Sequence, residues 1–199
     1  MTDLLNRPHP DCPADCPGTA EGGVDRHEPG TGERLNRLRA AVLGANDGIV
    51  STAAVVVGVA GATSDATTIA MSGLAAVIGG AVSMALGEYV SVSSQRDSER
   101  AMGLAEEMQV NPWSAAIASF LSFLLGAALP FATALLAPAS WRIAAIFVLT
   151  LVALALTGAL SAKLGEAPVA RSVARIVVGG TMALAATFAI GSLFGANVG

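Results

Sequence analysis

The sequence predicts an all-α integral membrane protein with five transmembrane helices. Of its 199 residues, 53% are hydrophobic and only 13% are charged, whereas soluble domains average about 25% charged residues. The mean hydropathy is +0.63. Five apolar runs, at residues 38–62, 68–92, 113–136, 142–163 and 173–195, are each long enough to cross a hydrocarbon core of about 30 Å as a helix.

The first 33 residues differ from the rest of the chain in composition. Proline, glycine and acidic residues dominate there, so we expect a disordered cytoplasmic tail at 1–33 and a transmembrane domain at 34–199. The negative charge of the tail argues against a nucleic-acid partner. Cys12 and Cys16, with two histidines nearby, could bind a metal ion. The alternative is a pair of reduced thiols with no structural role.

Basic residues predict how the helices are oriented. Successive spans cross the membrane in opposite directions, so the start of the first span, the end of the second and the break after the fourth lie on the same side. Most basic residues are on that side: Arg34, Arg37, Arg39, Arg96, Arg100, Lys163, Arg171 and Arg175. The opposite side has only Arg142. The positive-inside rule therefore predicts a cytoplasmic N-terminus and a C-terminus outside the cell or in a lumen.

Two carboxylates interrupt the first two apolar runs. Asp47 lies in GANDGIVS, eight residues beyond Arg39, and Glu88 lies in SMALGEYVSVSSQR, eight residues before Arg96. Each is therefore about 12 Å from the same membrane face in antiparallel helices, which predicts a shared depth.

The shared depth allows one site with further ligands from neighbouring turns. Met84 lies one turn before Glu88 and Ser51 one turn beyond Asp47, on the same helix faces. We take Asp47, Met84 and Glu88 as candidate metal ligands. The possible pore-lining oxygen donors are Asn46, Ser51 and Tyr89.

The residue types at this site favour a borderline divalent metal. The first three spans contain no lysine or arginine other than Arg39, which we assign to the membrane face. We therefore expect no basic residue to neutralise the two carboxylates, so that a bound cation or a proton is left to do so. Oxygen ligands with one thioether favour Fe²⁺ or Mn²⁺ over Mg²⁺ or Ca²⁺. The alternatives are that Met84 only packs, that Asp47 bonds to backbone at a helix irregularity, and that Glu88 reaches interfacial water.

Two stretches, RLNRLRAAVLGANDGIVSTAAVVVGVAGA and GGAVSMALGEYVSVSSQRDSERA, resemble the vacuolar iron transporter family, including its nodulin-like and bacterial members. NPWSAAIASFLSFLLGAALP, GALSAKLGEAP and ARIVVGGTMALAATFAIGSLFG resemble its later spans, so the resemblance covers roughly residues 34–195. It implies a five-helix homodimer that exports Fe²⁺, and often Mn²⁺, from the cytosol in exchange for protons. It also implies a pore between protomers, lined by the first helices. The family's pore Asp, pore Met and motif Glu fall on Asp47, Met84 and Glu88.

One departure from the family concerns the connector between the second and third spans. Family members usually have a long cytosolic insertion there, with metal-gathering glutamates, whereas this chain has only residues 96–111. Glu99, Glu106 and Glu107 are candidates for a remnant that captures metal. The alternative is a solvated connector.

The sequence thus predicts a homodimeric divalent-metal transporter without a resident cofactor, whose partners are Fe²⁺ or Mn²⁺, protons and the lipid bilayer. The alternative is a metal-sensing or scaffolding membrane protein that has lost transport together with its cytosolic domain. An enzyme is not expected, because neither histidine lies in a span and no nucleophile–base pair is visible. We expect the plasma membrane if the source is bacterial and a vacuole-type membrane if it is eukaryotic.

Overall fold

The computed structural model describes residues 31–198, and all regular secondary structure in that range is helical. Five long helices follow one another, with a short 3₁₀ turn at Glu106–Met108 before the third: α1 Thr31–Ala62, α2 Ala66–Ala101, α3 Pro112–Leu136, α4 Arg142–Leu164 and α5 Val169–Val198. The predicted tail and the Cys12/Cys16 site lie outside the described residues, apart from the tail's last three residues, which begin α1.

The five predicted spans are confirmed as helices that are long and apolar enough to cross a membrane. The largest difference is in α2, which continues to Ala101, nine residues beyond the end of its apolar run. Serine, glutamine, arginine and aspartate fill that extension. These residues are compatible with a helix but not with hydrocarbon, so we infer that the last turns of α2 project from the membrane.

Polar side chains cap two of the helices at the predicted breaks. Asp65 precedes α2 and accepts hydrogen bonds from the Thr68 hydroxyl at 2.6 Å and the Thr68 backbone N–H at 2.7 Å. Both bonds lower the pKa of Asp65 below its ordinary value, and the bond from the Thr68 hydroxyl has the larger effect. Asn111 caps α3 in the same way, and Pro112 occupies the first helical turn, where a missing N–H has no cost.

The first helix is the centre of the bundle. It packs against each of the other four helices, and its most extensive contact is with α3. One core cluster draws on all five helices and consists of Ala53, Val56, Val57, Ile69, Ala134, Ile146 and Leu184. The outer faces carry large apolar side chains, among them Val90, Leu125 and Leu136, as expected for helices that face lipid.

The contact between α1 and α3 depends on glycine. A methyl group at Gly48 would collide with the backbone carbonyl of Phe123, and one at Gly126 would collide with that of Ala45. The two backbones therefore touch directly, as small residues permit in membrane bundles. This contact fixes which face of α1 is left for its polar residues.

Gly48→Ala should lower the thermal stability of the protein by several degrees. Alanine has the higher helix propensity, by about 1 kcal/mol, but its methyl group meets backbone atoms that cannot rotate away. Overpacking of this kind costs about 1–3 kcal/mol. The measurement is thermal unfolding of the purified protein in detergent.

The matched control is Gly179→Ala in α5, where nothing lies within 4 Å of the added methyl group. That variant should be as stable as the wild type or more so. Equal stability of the two variants would contradict a direct backbone contact between α1 and α3.

Candidate cation site

Asp47, Met84 and Glu88 line a single groove between α1 and α2. The groove has a volume of about 340 Å³ and is lined by Leu43, Asp47 and Ser51 from α1 and by Gly80, Ser83, Met84, Gly87 and Glu88 from α2. Ser83 and Gly87 are exposed at its mouth, so it opens on the outer surface of the chain. The helices thus bring the three candidate ligands to one space, and metal binding there stays a prediction.

Asp47 is half-buried on the groove side of α1. Its Oδ1 accepts a hydrogen bond from the hydroxyl of Ser51 at 2.7 Å, one helical turn further on. Asp47 forms no salt bridge with any residue of the described chain. The carboxylate is therefore held in one orientation by a neutral donor, and its charge has no counter-ion within 31–198.

Glu88 has a counter-ion, which corrects the expectation that neither carboxylate would have one. Arg39 donates from Nη2 to Glu88 Oε2 at 2.9 Å, and the Glu88 side chain is only 6% exposed. The reason is that α1 begins at Thr31, so Arg39 is already inside a regular helix. Its long side chain reaches across to α2, whereas the sequence indicated only a charge that marks the membrane face.

The two carboxylates occupy different parts of the groove. Arg39 and Asp47 are eight residues apart on α1, which is about 12 Å along a helix. Glu88 bonds to Arg39 and therefore lies at the end nearer the start of α1, whereas Asp47 and Ser51 lie further along. Within one groove the two carboxylates therefore have different partners, Arg39 for Glu88 and Ser51 for Asp47.

Two of the predicted pore-lining residues lie elsewhere. Asn46 is turned toward α4, where its Oδ1 accepts a hydrogen bond from Thr157 Oγ1 at 2.7 Å. The ring of Tyr89 packs against Trp113 of α3, with ring centroids 4.8 Å apart. Neither lines the groove. Neighbours in sequence lie about 100° apart around a helix, so the residues next to Asp47 and Glu88 face other helices.

The glutamates of the connector differ in their surroundings. Glu99 Oε2 accepts the backbone N–H of Val110 at 2.9 Å, and its Oε1 accepts from Gln95 Nε2 at 2.9 Å. It thus fastens the connector to the end of α2. Glu106 is 81% exposed and lies 3.5 Å from Arg96. The side chain of Glu107 is outside the described part of the chain.

The described residues of one chain do not supply a complete set of charged ligands. No group of three or more aspartate, glutamate, histidine or cysteine side chains that could hold a metal ion occurs within residues 31–198. The groove offers two carboxylates and one thioether. Octahedral divalent ions need about six donors, so the remaining ones must come from water, backbone or another molecule.

Sequence reasoning missed two polar contacts that organise the site, those of Arg39 and Thr157. The predicted first span, 38–62, already contained Arg39, so the signal was present but was assigned to orientation alone. Thr157 is one of three hydroxyl residues in the predicted span 142–163, with Thr150 and Ser161. A hydroxyl in a membrane helix usually bonds to its own helix or to a neighbour, and only the structure identifies Asn46 as that neighbour.

Comparison with known proteins covers most of the chain. A sequence profile described as the VIT family matches residues 38–110 and 100–192. Vacuolar iron transporter homolog 5 of Oryza sativa subsp. japonica is 45% identical over an alignment of 173 residues that covers 82% of this chain and 83% of that protein. Vacuolar iron transporter homolog 1 of Arabidopsis thaliana is 44% identical over 173 residues, covering 83% of this chain and 86% of the relative. Together with five membrane-length helices, these similarities identify a multi-pass integral membrane protein.

Proposed function

The chain belongs to the VIT family, and we propose on that premise that it carries a divalent transition metal across a membrane. The relatives reported above are named vacuolar iron transporter homologs, which supports iron as a substrate. We include Mn²⁺ because the ligand types of the groove suit both ions. In a eukaryotic cell the expected location is a vacuole-type membrane, and in a bacterium it is the plasma membrane.

The observation that carries this proposal is a carboxylate without a counter-ion in an open membrane groove. Asp47 is half-buried, bonds to Ser51 and has no ion-pair partner within the described chain. An ionised aspartate at the centre of a membrane helix costs on the order of 3 kcal/mol on insertion scales. A cation in the groove offsets that cost and explains why an apolar helix keeps the charge.

A second copy of the chain is the best cover for the groove. Gly79 and Gly87 on α2 have nothing within 4 Å of where a side chain would begin, and Ser83 lies between them on the same helix face. Small residues at this spacing let another helix approach closely. Two copies meeting here would bring two Asp47 and two Met84 side chains to one pore, giving the ligands that a single chain lacks.

The direction and coupling of transport follow from charge. Basic residues are in excess at the membrane face that includes the start of α1 and the end of α2, and the positive-inside rule supports a cytoplasmic location for that face. Glu88, at that end of the groove, would meet metal before Asp47 does. When the metal leaves toward the opposite face, each carboxylate can take up a proton, so we propose export from the cytoplasm by proton antiport.

The short connector leaves little for a separate capture domain. Glu99 already bonds to the backbone and to Gln95, so it serves to hold the connector in place. We propose that metal enters the groove directly from the cytoplasm, past Glu88. A sensor or scaffold that had lost transport would bind metal in the same groove without any flux, and the experiment below separates the two functions.

Asp47→Asn should reduce metal flux by at least about tenfold, because an amide has a similar shape but no charge with which to hold a divalent cation. The fold should be kept, since Ser51 can still donate to the amide oxygen. Flux is measured as Fe²⁺ or Mn²⁺ uptake into proteoliposomes, with and without a pH gradient.

The matched control is Asp65→Asn, because asparagine caps a helix as well as aspartate does and Asp65 lies outside the groove. It should transport like the wild type. Undiminished flux in Asp47→Asn would refute the role of Asp47. Metal binding without flux in the wild type would favour the sensor or scaffold.

Met84→Leu should lower Fe²⁺ transport relative to Mn²⁺ transport while changing stability by less than about 1.5 kcal/mol. The substitution removes the soft donor of the groove and keeps the volume. Both ions are measured in one preparation under reducing conditions, so that oxidation of iron does not imitate the effect.

Met71→Leu is the control, since Met71 is on the same helix but is 64% exposed and away from the groove. It should leave the Fe²⁺/Mn²⁺ ratio unchanged. If Met84→Leu behaves in the same way as this control, Met84 only packs.

A further inference from the structure

Arg39, near the start of α1, pairs with Glu88 of the α1/α2 groove and itself lines a second groove. Its guanidinium bonds to Glu88 at 2.9 Å and to Asn36 at 3.2 Å. The same residue also lines a second groove, of about 460 Å³, between α1 and the end of α4. The Arg39 side chain is 53% exposed, whereas that of Glu88 is 6% exposed. The buried Glu88 side chain is therefore held in place, whereas the exposed Arg39 side chain has space in which to move.

The second groove is suited to receive a guanidinium. Asn46, Ser161 and Gly165 line it, and α4 ends there, at Leu164. The carboxyl end of a helix carries a partial negative charge and attracts cations. Lys163 in the last turn of α4 is exposed, so it can remain in solvent when another cation enters.

Arg39 and an incoming metal ion require the same carboxylate. Glu88 is nearly buried, and its Oε2 is engaged by Arg39. A buried carboxylate cannot be left without a counter-charge at low cost. A divalent cation that enters at this end of the groove must therefore exchange with the guanidinium, and Glu88 stays neutralised throughout.

We propose that Arg39 is a tethered counter-cation that occupies Glu88 in the metal-free protein and moves into the α1/α4 groove when metal binds. This inference rests on the proposed transport function and concerns the regulation of the same site. Arg39 is then a specificity-determining residue. It sets the affinity that a cation needs in order to displace the guanidinium from Glu88.

The test is Mn²⁺ binding to the purified full-length protein at fixed pH and ionic strength, followed by the EPR signal of free Mn²⁺. Arg39→Gln should bind Mn²⁺ about tenfold more tightly than the wild type, because a competing charge close to the carboxylate is gone. Arg37→Gln removes the same charge two residues away from an exposed position. It should change the affinity by less than about twofold, since salt screens exposed charges.

A double-mutant cycle identifies the partner through which Arg39 acts. In a Glu88→Gln background, Arg39→Gln should have no effect on Mn²⁺ affinity, because no carboxylate is left to compete for. If Arg39→Gln does not fold, Arg39→Lys serves instead. Lysine keeps the charge but has a shorter side chain with a different donor geometry, so its pair with Glu88 should be weaker and Mn²⁺ should bind more tightly than in the wild type.

The opposite results overturn the inference. An affinity change in Arg39→Gln no larger than that in Arg37→Gln, a weaker affinity, or an effect that persists without Glu88 would each show that Arg39 is not the competing cation. These outcomes leave the proposed function standing if the wild type transports metal. A wild type that neither binds nor transports Mn²⁺ or Fe²⁺ would refute the proposed function and this inference together.

Discussion

The direct backbone contact between α1 and α3 is the constraint on which the rest of the structure depends. Gly48 and Gly126 allow it, because any side chain at either position would collide with a carbonyl of the other helix. Once that face of α1 is committed to α3, its remaining faces are fixed. Asp47 and Ser51 turn toward α2, and Asn46 turns toward α4. The motif GANDGIVS therefore lies in the central helix, and its successive residues contact three different helices, α3, α2 and α4.

The two intramembrane carboxylates are stabilised in different ways, and the difference suggests their roles. Glu88 is almost fully buried and paired with Arg39, so it is neutral as a unit and able to exchange its partner. Asp47 is half-buried, accepts a hydrogen bond from Ser51 and has no charged partner among residues 31–198. A cation that passes along the groove would move from an exchangeable pair to an unpaired acid. Two such different carboxylates along one groove suit a transport path better than a permanent metal-binding site.

The positions of the helices could be predicted from the sequence, but which neighbouring helix each polar side chain contacts could not. Long apolar runs with polar breaks determine where a chain crosses a membrane, so the five spans were recovered, and Asp47, Met84 and Glu88 share a groove as expected. Asn46 and Tyr89 were assigned to that groove because they are adjacent in sequence to Asp47 and Glu88, but a neighbouring residue on a helix points about 100° away, and they contact Thr157 of α4 and Trp113 of α3. The Arg39–Glu88 pair was missed because depth was counted along the backbone, without the reach of an arginine side chain.

The most direct test of the groove as the cation path is a crystal structure of the protein grown with Mn²⁺, examined by anomalous scattering. The account predicts a peak in the α1/α2 groove, within about 2.0–2.6 Å of an Asp47 carboxylate oxygen, with a second copy of the chain closing the groove. A peak found only at the connector or the N-terminal tail, with lipid against Asp47, would contradict it.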